Sequence, residues 1–201
     1  MIVSQSRLRI LNVLAEDADA CCRCGLQRTR NKVVFGEGNP EADIMFVGEA
    51  PGADEDESGR PFVGRAGKLL NSMIESMGLT REDVYICNTL KCRPPGNRNP
   101  TDDEQESCRH FLHDQIAIIS PICIVALGNP ALAVLTGNGK GITKRCGKWE
   151  KFDYQNRYGE QSIPVMPCFH PSAMLRNPDW KEPSWHALQE VMRSLKEWEK
   201  L

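Results

Sequence analysis

Four apolar runs of strand length punctuate the chain: ADIMFVGE from Ala42, VYICNTLK from Val84, ICIVALG from Ile122 and IPVMPCF from Ile163. A continuous apolar run is what a strand covered on both faces needs, and strands joined through helices run parallel. The segments between the runs have helical period. Leu69, Leu70, Met73, Ile74 and Met77 form one stripe that stops at Gly78, and Thr101 to Glu104 is a capping box opening a helix that buries Phe111, Leu112, Ile116 and Ile119. A third helix opens at Asn129-Pro130 and a C-terminal one follows near Pro183. This alternation predicts an α/β fold, a three-layer α/β/α sandwich around a central, mostly parallel four-stranded sheet. Residues 1–20 read as an N-terminal helix, 21–32 as a cysteine-bearing loop and 140–160 as a short β excursion over the surface. No repeat or linker divides the sequence, so residues 1–201 are expected to form a single domain.

Composition removes several classes of function. With 40% hydrophobic and 26% charged residues, 201 residues can bury a core without staples, and disorder as the main state is excluded. The longest apolar run, ICIVAL from Ile122, is far too short to span a membrane, and Arg7, Arg9, Asn12 and Glu16 interrupt the N-terminal stretch where a signal peptide needs an apolar centre. A soluble, cytoplasmic protein is expected. The net charge of -2 announces no nucleic acid, yet Arg23, Arg28, Arg30 and Lys32 form one basic cluster and Lys140, Lys144, Arg145, Lys148 and Lys151 another, which leaves room for local basic faces.

Each apolar run ends in an unusual polar loop: GEAPG from Gly48, CNTLKCRPP from Cys87, GNP from Gly128 and FHPSAMLRNP from Phe169. Open α/β sheets bind ligands beyond the carboxyl ends of their strands. Glu49, Asn88 and His170 therefore belong to one crevice, which strand termination alone does not explain.

The nine cysteines lack an export signal and are expected to stay reduced. Cys21 and Cys24 are a C-x2-C pair, and Cys92 at a strand end and Cys108 on the next helix can meet that turn. Spacing alone leaves a four-iron, four-sulfur cluster, zinc and ordinary packing open. Cys87, Cys123 and Cys168 fall within apolar strands and read as core.

Taken together the motifs resemble the uracil-DNA glycosylase superfamily, and within it the iron-sulfur family 4. The residues that carry the resemblance are C-R-C-G-L, VVFGEGNP from Val33, GEAPG with Glu55 and Asp56 following, GRPFVGRAGKLLN from Gly59, NTLKCRPPGNR from Asn88 and HPSAMLRNP from His170, all in order. A covalently DNA-linking sister branch carries a basic, His-containing insertion after its KCRPP-like segment; here Pro94-Pro95 runs directly to the Thr101 cap. The resemblance implies a monofunctional hydrolase of base excision repair, which cleaves the N-glycosidic bond of deoxyuridine in DNA, releases uracil and leaves an abasic site. It implies a 4Fe-4S cluster on Cys21, Cys24, Cys92 and Cys108, with 21–32 as the cluster-binding loop. Uracil-containing DNA is the expected partner and a monomer the expected state.

By the same resemblance His170, Glu49 and Asn88 are the catalytic set. His170, neutral, donates a hydrogen bond to uracil O2 as negative charge develops on the base. Asn88 offers a donor and an acceptor to O4 and N3–H, a pattern that cytosine reverses. Phe62 is the stacking platform, Gly48, Glu49 and Ala50 line the pocket, and Glu55 crowds the C5 position against thymine. Some branches of the superfamily carry an aspartate where this chain has Ala50, which leaves Glu49 or main-chain carbonyls to orient the attacking water. Met174 and Leu175 are the expected wedge that fills the space vacated by a flipped base, with Ser172 and Arg176 on phosphate. The rival from another class is an iron-sulfur redox or electron-transfer protein, in which the cysteines are the active centre and the loops are scaffolding.

Overall fold

The computed structural model describes residues 2–156 and 159–198. An N-terminal helix α1 (Ile2–Asp19) leads through the cysteine loop to a two-residue strand β1 (Glu37–Gly38) and then β2 (Ile44–Gly48). Next come α2 (Ala53–Ser58), α3 (Arg65–Ser76), β3 (Tyr85–Asn88), α4 (Asp102–Ile119) and β4 (Cys123–Leu127). The chain continues through α5 (Asn129–Thr136), α6 (Ile142–Arg145), β5 (Glu150–Asn156), β6 (Gly159–Cys168), α7 (Pro171–Arg176) and α8 (Lys181–Trp198). Each expected helix forms. The Thr101 hydroxyl accepts from the Glu104 amide at 3.2 Å and the Glu104 carboxylate accepts from the Thr101 amide at 2.9 Å, so the capping box opens α4 as its sequence predicts.

The sheet corrects one expectation. It has six strands, not four, in the order β1-β3-β2-β4-β6-β5. The inner four are the four apolar runs, and every pairing among them is parallel. Both edges are antiparallel additions: Glu37 and Gly38 pair with Ile86 and Tyr85, and β5 pairs with β6 from Glu150 opposite Val165 to Asn156 opposite Gly159. Within the 140–160 segment, α6 comes first and Glu150–Asn156 then forms an edge strand of the main sheet. Its signal is the alternation of Phe152 and Tyr154 with charged Lys151 and Asp153, the period of a strand covered on one face only. Phe152 is buried and lies opposite Ile163, the first residue of the last apolar run.

Helices cover both faces. On one, Met45, Val47, Tyr85, Ile124, Ala126 and Val165 pack with Leu112, Ile116 and Ile119 of α4 and Leu132 and Leu135 of α5. On the other, Ile44, Phe46, Ile86, Val125, Leu127 and Met166 meet Leu70 and Ile74 of α3 and Leu188 and Val191 of α8. Alternate residues of one strand feed opposite cores, which is why these strands are apolar throughout. Cys87, Cys123 and Cys168 are fully buried in these two cores, as their positions in apolar runs require.

Candidate active site

The carboxyl ends of the four parallel strands open into one cavity of about 570 Å³. Register delivers its residues. Gly48 at the end of β2 lies opposite Asn88 at the end of β3, and Leu127 of β4 lies opposite Cys168 of β6, two residues before His170. The pairing of β2 with β3 continues past their ends, with Thr89 N–H donating to the Gly48 carbonyl at 2.9 Å and Leu90 N–H to the Glu49 carbonyl at 3.0 Å. The Thr89 hydroxyl donates to the same Glu49 carbonyl at 2.7 Å. Glu49 and Asn88 are therefore fixed side by side by main chain.

Glu49, Ala50, Glu55, Phe62, Asn88, His170, Ser172 and Arg176 all line this cavity. Gly48 acts by absence: a Cβ there would lie 2.4 Å from Asn88 Oδ1 and 2.5 Å from Phe62 Cζ. Only glycine lets the amide and the ring close over the end of the strand.

Asn88 is 2% exposed, and its Oδ1 is the only buried side-chain nitrogen or oxygen among the described residues without a hydrogen-bond partner. A buried acceptor with no donor costs free energy unless a ligand supplies one. Behind it, Lys91 Nζ donates to the Asn88 carbonyl at 2.8 Å and to Gln115 Oε1 at 2.6 Å, which holds the Asn88 peptide from the core side.

His170 is the N-cap of α7. Its Nδ1 accepts from the Ser172 amide at 3.1 Å and lies 2.8 Å from the Ser172 hydroxyl. A nitrogen that accepts from a backbone N–H carries no proton, so the proton of the neutral ring sits on Nε2. Burial, aided by the charge of Arg176, lowers the imidazole pKa to about 4. Ser172 thus orients the imidazole as well as lining the cavity. The His170 ring stands 5.7 Å from that of Phe62.

Burial raises the pKa of Glu49, whose carboxylate makes no hydrogen bond or ion pair among the described residues. Glu55 is differently engaged. Its Oε1 accepts from the Val63 and Gly64 amides, each at 2.9 Å, and its Oε2 accepts from Gly52 N–H at 3.1 Å, so it ties the GEAPG loop to the loop carrying Phe62. In the α7 loop the two expected wedge residues part company. Leu175 is 39% exposed, whereas Met174 is 1% exposed and packs inward, so Met174 offers no side chain to a partner. The reason is helical: adjacent residues on α7 are turned by about 100° from one another, enough to bury one and expose the next.

Sequence reasoning missed one part of the lining, to which Pro94, Asn97, Arg98 and Asn99 contribute. The signal was present in PPGNR, in which Gly96 and Asn97 both take positive φ, 62° and 55°.

Cys21, Cys24, Cys92 and Cys108 line a second, small cavity that shares no residue with the first. Two of these sulfurs receive hydrogen bonds, Cys92 Sγ from Arg30 Nη1 at 3.2 Å and Cys108 Sγ from the Lys91 amide at 3.3 Å. Among the described residues no group of three His, Cys, Asp or Glu side chains is drawn together tightly enough to hold a single metal ion.

The sequence model described as the Uracil DNA glycosylase superfamily matches residues 35–192. A Type-4 uracil-DNA glycosylase of Thermotoga maritima is 47% identical over 172 residues, 86% of each chain. Similar proteins under the same name occur in Sulfurisphaera tokodaii, 44% identical over 93% of this chain and 84% of that one, and in Saccharolobus solfataricus, 44% identical over 93% and 85%.

Proposed function

From the premise that the chain belongs to the uracil DNA glycosylase superfamily, we propose that it hydrolyses the N-glycosidic bond of deoxyuridine in DNA, releasing uracil and leaving an abasic site. The observation that carries this reading is the unpaired, buried Oδ1 of Asn88 at the wall of the cavity. Uracil supplies the missing donor, N3–H, beside the acceptor O4 that the amide N–H can meet. Cytosine has no proton at N3 and presents a donor where O4 would be.

Phe62 stacks on the base, and Gly48 allows it to approach Asn88. As the glycosidic bond lengthens, negative charge gathers on uracil N1 and O2. The Nε2–H of neutral His170 donates to O2, a bond that strengthens with the charge. A neutral donor suits a buried site because an imidazolium would first have to be desolvated. Glu49, with a free carboxylate, orients the water that attacks the sugar cation. Glu55, fixed by three amides, presents a rigid wall against the methyl group of thymine. Leu175 fills the space left by the flipped nucleotide, and Ser172 and Arg176 meet the adjacent phosphates.

Cys21, Cys24, Cys92 and Cys108 would hold a 4Fe-4S cluster. Four cysteines around one cavity support this reading, since four thiolates are the usual ligand set of such a cluster. Bound there, it supplies a covalent staple between the N-terminal loop and α4. Because the two cavities share no residue, base chemistry does not require the cysteines as a redox centre.

The test is incubation with matched oligonucleotides containing U, T, C or hypoxanthine, followed by cleavage at abasic sites. Cleavage at U and none at T or C is expected. No cleavage at U in single- or double-stranded substrates would overturn the proposal.

A further inference from the structure

Phe62 adopts a backbone conformation that side-chain-bearing residues rarely take, with φ at 52°. Such a residue persists only where its surroundings over-determine it. Gly48 and Gly67 leave it room but hold nothing: a Cβ on Gly67 would lie 1.8 Å from the Phe62 carbonyl oxygen. The grip comes from behind the loop, from a residue that does not line the cavity.

Arg81 spends every donor of its guanidinium there. Nη2 donates to the Pro61 carbonyl at 2.7 Å and Nη1 to the Phe62 carbonyl at 3.1 Å. The other three N–H groups fix the guanidinium itself, Nη1 to Asn71 Oδ1 at 2.8 Å, and Nη2 and Nε to Glu37 Oε1 at 2.6 and 3.0 Å. Glu37 also accepts from Arg60 at 2.8 and 3.0 Å. Burial alone would raise the Glu37 pKa, but its bonds to Arg60 and Arg81 outweigh that and lower it. Edge strand β1, through Glu37, and helix α3, through Asn71, thus anchor one planar fork whose free edge caps two successive carbonyls. A lysine, with three donors on a flexible stem, cannot reproduce this.

We propose that Arg81 is a positioning residue for base recognition: with Glu37 and Asn71 it fixes the Pro61 and Phe62 carbonyls and thereby holds the Phe62 ring as a stacking platform for uracil. This deepens the reading of the cavity as a uracil site and rests on it. It also gives the two-residue strand β1 a purpose, since β1 presents Glu37 to Arg81.

The test is a double-mutant cycle between Arg81→Gln and Phe62→Ala, read by free-uracil affinity and by single-turnover uracil release. Stacking of a base on an aromatic ring corresponds to roughly tenfold in affinity, so each single variant is expected to lose about that factor, and the double variant little more than either alone. Affinity for undamaged DNA should not change. Arg81→Lys should restore less than half of the loss on a logarithmic scale. Multiplicative losses in the double variant, or unaltered uracil binding by folded Arg81→Gln, would overturn the proposal. Should Arg81→Gln fail to fold, Glu37→Gln enters the same cycle with the same criterion. An unmodified protein that releases no uracil indicts the reading of the site. An active protein impaired by Phe62→Ala but indifferent to Arg81→Gln and Glu37→Gln indicts this inference alone.

Discussion

Replacing Asn88 by leucine separates recognition from stability. Leucine has the shape of asparagine without its polar atoms, and the wild-type Oδ1 is buried and unpartnered while the side chain is 2% exposed. An unsatisfied buried acceptor costs about 1–3 kcal/mol, a cost the free protein bears and, in the proposed binding mode, uracil relieves. Leucine removes it. The tight approach at Gly48, where a Cβ would come within 2.4 Å of Oδ1, means that the added methyl surface is not accommodated freely. Taking the low end of the range, the free variant should be more stable by about 1 kcal/mol, a rise of roughly 2–4 °C in melting temperature for a chain of this size. Its uracil release should fall by about two hydrogen bonds' worth of binding, on the order of a hundredfold. The assay is urea unfolding of both proteins, matched for iron content, with and without free uracil. Uracil should stabilise the wild type and leave the variant unmoved. A variant less stable than the wild type by more than about 1 kcal/mol, or one stabilised by uracil to the same degree, would refute the view that Oδ1 waits for a donor.

Other predictions address the remaining parts of the site. His170→Ala should slow single-turnover excision by a hundredfold or more, corresponding to about 3 kcal/mol, with DNA affinity and its salt dependence preserved; a loss confined to binding would count against the bond to O2. The imidazole pKa of about 4 implies that activity is insensitive to this ring above that value and falls as pH drops through it. In the unfolded chain the same ring takes a proton near pH 6.5, so its contribution to stability is complete above that point and declines as pH falls towards 4. Denaturant midpoints at pH 7 and pH 5 should show this decline in the wild type and less of it in His170→Gln. Gly67→Ala places a Cβ 1.8 Å from the Phe62 carbonyl oxygen and should destabilise by roughly 2 kcal/mol or more while weakening uracil binding, measured by thermal melting and calorimetry. Cys92→Ala should lower iron content and folding stability together; full iron content would remove Cys92 from the proposed cluster.

The central architecture was legible because one physical rule wrote it. Strands that feed cores on both faces must be apolar throughout, and Ile44 through Val47 and Cys123 through Leu127 obey it without exception. The edges obey a different rule: β1 gives no signal in the sequence, and the 140–160 segment reads as β but not as part of the main sheet. Strand β1 is two residues long and contains a glycine, below the length at which periodicity means anything, and β5 shows only Phe152 and Tyr154 among polar neighbours. The site followed the strand ends, so Glu49, Asn88 and His170 converge as their sequence positions require. What sequence could not convey was orientation. Met174 and Leu175 are adjacent and chemically alike, and only the rotation of α7 decides which is buried. Arg81 was invisible for another reason: its partners Glu37, Asn71 and Phe62 come from three separate segments, and none of its bonds lies within helical or strand spacing.

Burial acts on Glu49 and His170 in opposite senses and to one end. It raises the carboxyl pKa and lowers the imidazole pKa, because in each case the charged form is the one that loses hydration. The result is a cavity in which burial pushes both Glu49 and His170 towards their neutral forms, and into which Asn88 projects an unpaired dipole. In the proposed reaction the bound base is neutral in the ground state. When charge develops on the base, however, the same exclusion of water strengthens a fixed N–H dipole aimed at it. Preorganisation is therefore the property to protect, and hydrogen bonds from neighbouring residues protect it. Ser172 fixes the His170 ring, Lys91 the Asn88 peptide and Arg81 the two carbonyls at Phe62, each by hydrogen bonds of 2.7 to 3.1 Å. Each of the three groups proposed to contact the base is held by another residue, and loosening a holder should cost recognition before it costs the fold.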